Sequence, residues 1–141
     1  MYALIRKTET GMTVVDLVDK RPETIALSHP WQKALDRYFK GELQKFTIDF
    51  PVPGTDFQRQ VYHATCTIPY GETRSYGWVA EKIGNPKAAR AVGQALNKNP
   101  LPILIPCHRV IGHDASLVGF GSDISYKIWL LRHEKKTREK G

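Results

Sequence analysis

A chain of 141 residues, 41% hydrophobic and 25% charged, has the size and composition of one globular domain or of two small lobes sharing a core. Its formal net charge is +7 and its pI about 9.5, and the excess is uneven: residues 1–53 carry a net of +1 and residues 54–141 a net of +6, which points the C-terminal part towards a polyanion. No apolar run approaches the ~20 residues that span a bilayer, Met1–Lys7 lacks a signal-peptide layout, and two cysteines 41 positions apart make neither a disulfide framework nor a zinc site, so a soluble intracellular protein without membrane contact is expected.

Residues 2–6 and 12–18 are rich in β-branched and aliphatic side chains and predict two strands, with a hairpin turn at Thr10-Gly11. Ser28 predicts a helix N-cap, with Pro30 in the first turn. Trp31, Ala34, Leu35, Tyr38 and Phe39 then recur at helical period as one apolar stripe, read as core, and Gly41 closes the helix. Phe46, Ile48 and Phe50 alternate with Thr47 and Asp49 and predict a third strand. The first 50 residues therefore read as a small ββαβ-like unit with no chemistry in view. Pro51-Val52-Pro53-Gly54 breaks any regular element, which sets an expected boundary between a domain over 1–53 and a second over 54–141.

Thr55 and Gln58 form a capping-box pair. The helix they open carries Phe57, Val61 and Ala64 or Thr65 inward, and Cys66 near its end reads as an inert core thiol. After a turn at 69–73, Ser75 caps a helix over Tyr76–Ile83. Gly84-Asn85-Pro86 stops it, and a second helix is expected over Lys87–Asn97. Helix, tight turn, helix is the layout of a helix-turn-helix. Ala88, Val92 and Leu96 fall on the inner side of the second helix. Lys87, Arg90, Ala91, Gln94 and Lys98 make one exposed side that is basic, polar and small, without acidic residues. An ordinary solvated face mixes both signs; this one suits phosphates, and alanine leaves room for close approach.

Asn99 and two prolines lead, extended, into an aliphatic run that ends Ile105-Pro106-Cys107-His108-Arg109-Val110. Proline fixes its own φ and biases the residue before it towards extended backbone, so Cys107 sits at a stiff place after a buried run. A thiol beside a titratable base on a rigid support is what nucleophilic sulfur chemistry needs. A buried, inert cysteine next to a surface histidine is the competing reading of that dipeptide. A loop over 112–123 follows, with Phe120 its one aromatic, and a closing helix carries Ile124, Ile128 and Leu131 in register and Glu134 near its end.

These motifs together resemble the O6-alkylguanine-DNA alkyltransferases, the methylated-DNA–protein-cysteine methyltransferases. The resemblance runs from about Phe57 to Glu134. It rests on Phe57-x-Arg59-Gln60-Val61, Tyr70-Gly71-Glu72-Thr73-x-Ser75-Tyr76, Gly84-Asn85-Pro86-x-Ala88-Ala89-Arg90-Ala91-Val92-Gly93, Ile105-Pro106-Cys107-His108-Arg109-Val110 and Trp129-Leu130-Leu131-x-x-Glu134. It implies an α+β fold: a reduced N-terminal α/β domain and a mainly helical C-terminal domain with a helix-turn-helix. It also implies a single-turnover enzyme without a cofactor, acting as a monomer on double-stranded DNA containing O6-alkylguanine. Such a protein works in the cytoplasm at the nucleoid, or in the nucleus of a eukaryote.

By the same resemblance Cys107 is the alkyl acceptor, His108 its base acting through a water, and Glu134 the group that orients His108. Tyr76 gives a proton to the departing guanine and Asn99 holds the turn. Tyr76, Val110, Phe120 and Gly121 line the guanine pocket. Arg90 fills the stack left by a flipped base, a step needed because guanine O6 lies inside the duplex. Ala91, Gln94, Lys87 and Lys98 meet DNA with it. Some members hold zinc in the N-terminal domain; with no cysteine before Cys66, no metal is expected here. The loop departs from the family in Val118, Ser122 and Asp123, where small residues are usual, and in Phe120, where tyrosine is common. A non-enzymatic binder of alkylated DNA on the same fold is the main competing function, and Cys107 opposes it. A papain-like hydrolase and a plain helix-turn-helix regulator are weaker competitors.

Overall fold

Two six-residue strands begin the chain in a computed structural model that describes residues 1–46, 50–112 and 124–140, with side chains through Arg138. β1 (Tyr2–Lys7) and β2 (Thr13–Val18) pair antiparallel, from Tyr2 opposite Val18 to Lys7 opposite Thr13. Gly11 takes φ +86°, the left-handed conformation glycine adopts without strain, so the short turn can close. The hairpin lies on α1 (Pro30–Phe39), whose Leu35 and Tyr38 are fully buried. Polar groups fix this docking too. Gln32, buried on α1, donates from Nε2 to the Ala3 carbonyl and accepts from the Ile5 N–H, at 2.9 and 2.8 Å. The cap of α1 is His29 rather than the expected Ser28: its Nδ1 accepts the Trp31 N–H at 3.1 Å. Pro30 is itself the first helical residue, so the capping position is the one just before it. Of the expected third strand, residues 47–49 lie outside the described residues.

α2 (Asp56–Cys66) starts at the expected capping box, with both reciprocal hydrogen bonds between Thr55 and Gln58 formed. β3 (Arg74–Ser75) runs into α3 (Tyr76–Lys82), where Ser75 Oγ accepts the Trp78 N–H at 3.0 Å. Gly84, at φ +79°, ends α3. α4 (Ala89–Asn97) begins two residues later than the expected Lys87, because residues 85–88 close a turn in which the Ala88 N–H reaches the Asn85 carbonyl. α3 and α4 pack against each other and on α2 as a helix-turn-helix unit. A 3₁₀ turn (Cys107–Arg109) leads into β4 (Val110–Ile111), which pairs parallel with β3, and α5 (Ile124–Lys140) closes the chain. The fold is α+β. One apolar cluster runs from Ala3, Val15, Leu35 and Tyr38 through Val61, Val79 and Val92 to Ile105, Cys107 and Leu130.

Candidate active site

The segment that presents Cys107 is held by one side chain. Asn99 accepts the Leu101 N–H at Oδ1 and donates from Nδ2 to the Ile105 carbonyl, both at 2.9 Å, so a single amide spans the loop. Within it Ile103 takes φ +75°. That conformation is strained for a β-branched residue, at a cost of about 1–3 kcal/mol, and it persists only where the surroundings over-determine it. Here Ile103 is 1% exposed and anchored in the core. The Cys107 N–H then reaches the Ile105 carbonyl at 2.7 Å, and the Arg109 N–H reaches the Pro106 carbonyl at 2.9 Å. All three residues of this tight turn are buried.

Two of them converge on Glu134 of α5. His108 Nε2 lies 2.6 Å from Glu134 Oε2. Arg109 donates from Nε to Oε1 and from Nη2 to Oε2, at 2.8 and 3.0 Å, and from Nη1 to the Ile68 carbonyl at 2.9 Å. Tyr38 Oη donates to Oε2 at 2.6 Å, and the Gly71 N–H to Oε1 at 3.1 Å. Burial opposes ionisation of Glu134, but His108 and Arg109 outweigh it and hold the carboxyl well below the usual carboxylate range. Burial lowers the His108 pKa despite the attraction of Glu134, so the imidazole is neutral at neutral pH. A carboxylate only accepts, so the ring proton sits on Nε2 and Nδ1 keeps its lone pair. Nδ1 is buried and has no hydrogen-bond partner among the described residues.

Burial pushes the Cys107 thiol up to about 11, against an Asn99 hydrogen bond and the charge of Lys127, which pull it down. Tyr76 and Tyr62 both lie close enough to feel charge on Cys107; burial raises both phenols, Tyr62 to about 12. Tyr62 Oη donates to the Ala95 carbonyl at 2.7 Å, and Lys127 Nζ to the Val110 carbonyl at 2.7 Å. The structure thus brings Cys107, His108, Glu134, Asn99, Tyr76 and Val110 to one place. Phe120 and Gly121 lie outside the described residues. The sequence reading missed Tyr38, Arg109, Tyr62 and Lys127. Arg109 adjoins the Cys-His pair, and Lys127 interrupts an apolar helix face seven residues before Glu134, so both left a signal. Tyr38, 96 residues from its partner, left none.

A cavity of about 1090 Å³ opens behind this segment, lined by Ile103, Leu104, Pro106, Arg109 and Cys66 but not by Cys107. Cys66 is half-buried there, less enclosed than a core thiol, though burial still pushes it up to about 11. On α4 and its flanks Lys87, Arg90, Gln94 and Lys98 are exposed and Ala91 half-buried, while Val92, Ala95 and Leu96 are buried. None of the ion pairs among the described residues involves Lys87, Arg90 or Lys98. Among the described residues no group of three or more His, Cys, Asp or Glu side chains could hold a metal ion, and no helix is long and apolar enough to cross a membrane.

The family described as 6-O-methylguanine DNA methyltransferase, DNA binding domain, matches residues 56–136. A methylated-DNA–protein-cysteine methyltransferase of Mycobacterium leprae is 54% identical over 101 residues, 72% of this chain and 61% of that protein. One of Methanosarcina acetivorans is 44% identical over 124 residues, 88% of this chain and 80% of that protein. The crystal structure of Mycobacterium tuberculosis OGT in complex with DNA matches at TM-score 0.77 and 37% identity, covering 97% of this chain and 94% of that one. The aligned stretch spans less than two thirds of the length of the Mycobacterium leprae relative.

Proposed function

The chain belongs to the 6-O-methylguanine DNA methyltransferase family, and from that membership we propose that it repairs DNA by direct reversal, moving an alkyl group from guanine O6 to the sulfur of Cys107. The observation that carries the reading is the His108–Glu134 pair at 2.6 Å, fully buried beside Cys107, with the Nδ1 lone pair of His108 unengaged among the described residues. Glu134 fixes the ring's tautomer and stabilises the imidazolium that forms when His108 takes a proton, as in other nucleophile–histidine–acid relays. With Nε2 committed to Glu134 and Nδ1 unengaged among the described residues, the proton leaves Sγ for Nδ1 through a water.

The thiolate displaces guanine from the alkyl carbon: an S–C bond forms and the C–O6 bond breaks. Tyr76 protonates the departing base, and reprotonation of the phenol from His108 restores both groups. The product is a thioether, which offers water no carbonyl to attack, so each molecule reacts once, with no cofactor. Asn99 holds the loop in place for this, and Tyr76 and the backbone at Val110 line the guanine pocket.

The substrate is double-stranded DNA carrying O6-alkylguanine. A cysteine rooted in a packed core cannot reach into the base stack, so the nucleotide is flipped out, at a cost of about a few kcal/mol. Arg90 takes the vacated place, while Ala91 and Gln94 lie in the groove and Lys87 and Lys98 meet phosphates. The protein acts as a monomer wherever the genome lies, the cytoplasmic nucleoid or the nucleus. Mass spectrometry after mixing with methylated duplex DNA tests this. The peptide holding Cys107 gains the mass of one CH₂ group, and Cys107→Ala gains nothing. An unchanged wild-type mass overturns the reading and leaves a binder of alkylated DNA, and an adduct on Cys66 overturns the assignment of Cys107 as the acceptor.

A further inference from the structure

The Lys127 ammonium is an unusual tenant of the core. It is 0% exposed, on the inner face of α5, and its Nζ donates to the Val110 carbonyl at 2.7 Å. Val110 is the first residue of β4, directly after the turn that carries Cys107. Burying a cation is costly, and an apolar side chain of similar length would fill the space without that cost. Among the polar groups around the sulfur, Asn99 is neutral, Tyr62 and Tyr76 are un-ionised, and His108 is neutral with its Nε2 turned to Glu134. Arg109 is engaged by Glu134 through two hydrogen bonds. Lys127 and Cys107 act on each other: burial pulls the lysine down to about 8 and the sulfur's charge pulls it back up, while the lysine pulls the thiol down against its own burial.

We propose that Lys127 is a positioning residue for the nucleophile: its buried ammonium, fixed on the Val110 carbonyl, stabilises the Cys107 thiolate through space, while Glu134 serves the same sulfur through His108. Two residues seven apart on α5 thereby supply opposite charges to the site. The carboxylate favours a proton on the imidazole, and the ammonium favours its loss from sulfur. Lys127 exchanges no proton in the step. It sets how much thiolate is present.

The inference rests on Cys107 being the alkyl acceptor, yet it is read without DNA. In a Cys66→Ser background, the rate of Cys107 alkylation by iodoacetamide is followed against pH, together with the ultraviolet absorbance of the thiolate. Lys127→Gln keeps a donor for the Val110 carbonyl and removes the charge; Lys127→Arg keeps both. At a fixed pH below about 8, where Lys127 carries its charge, the glutamine variant should hold roughly tenfold less thiolate and react that much more slowly, and the arginine variant should restore most of it. A folded Lys127→Gln protein that titrates like wild type overturns the inference, as does an equal loss of thiolate in both variants, which marks a packing effect. Lys127→Met provides the same reading if the glutamine variant does not fold. A wild-type protein that titrates as expected but takes no alkyl group from DNA refutes the repair function and leaves Lys127's role standing.

Discussion

Five hydrogen bonds meet on the two oxygens of Glu134, from His108, Tyr38, the Gly71 amide and, twice, Arg109. An anion satisfied this fully tolerates burial; removing its charge leaves Arg109 buried without its counter-ion. Glu134→Gln should therefore cost about 3–5 kcal/mol of unfolding free energy, read from urea denaturation, and a loss under 1 kcal/mol would mean that the network contributes little. The pH dependence follows from the same groups. Both Glu134 and His108 have folded-state pKa values below their ordinary ones. Their contributions are thus complete above the unfolded values, about 4.3 for Glu and about 6.5 for His, and each is lost as pH falls through its folded value. Stability should begin to fall below about pH 6.5 as the unfolded histidine takes up protons, and fall again at carboxylate pH. Urea titrations of Glu134→Gln should show a smaller second decline, the remainder coming from Asp36, whose carboxyl is held low against its burial by Tyr2, Arg21 and Lys40. The alkylation rate should hold below the usual histidine range, because the base on His108 stays unprotonated there. An acid limb centred at or above the usual histidine value would contradict a buried, neutral His108.

At the scale of elements, α4 carries the DNA-facing proposal. Its buried side is Val92, Ala95 and Leu96, and its exposed residues include Arg90 and Gln94. Arg90→Ala should slow repair of duplex DNA far more than reaction with the free base O6-benzylguanine, which needs no flipping; equal slowing of both would remove Arg90 from the stack-filling role. Lys87→Ala or Lys98→Ala should instead lower the salt dependence of duplex binding by about one counterion each, at any sequence. These faces were legible from the sequence because helical periodicity and capping are local: the Thr55–Gln58 box and the Ser75 cap both form. The Cys107-His108 pair and Glu134 were legible as a linear signature. What was not legible depends on position in space. The His29 cap competes with a neighbouring serine and is decided by where proline enters the helix. The left-handed Ile103 is a conformation that its residue type disfavours, imposed by Asn99 and the core. The first 50 residues read as free of chemistry, yet Tyr38 reaches Glu134.

That last contact bears on the whole molecule. We infer two lobes, residues 1–53 and 54–141, but the apolar cluster does not stop between them. Leu35 and Tyr38 from α1 belong to the same cluster as Val61, Ile105 and Leu130. Tyr38 is 0% exposed, and its hydroxyl donates at 2.6 Å to the carboxylate that orients His108. His133, one residue before that carboxylate, hydrogen-bonds the Tyr38 carbonyl through Nε2 at 2.8 Å. So α1 holds α5 at two successive residues, Glu134 and His133. Lobes joined through a shared core and a buried charged hydrogen bond unfold together, because exposing one strips the other. Thermal unfolding followed by near-ultraviolet circular dichroism and by calorimetry should therefore give one coincident transition. Tyr38→Phe keeps the ring and removes only the donor, and should lower stability by about 2 kcal/mol, the value of a hydrogen bond to a buried charge. It should also slow alkyl transfer, since Glu134 loses a donor that fixes its orientation. Two separated transitions, or a Tyr38→Phe protein that loses stability but reacts at the wild-type rate, would show that the N-terminal lobe supports the fold without reaching the chemistry.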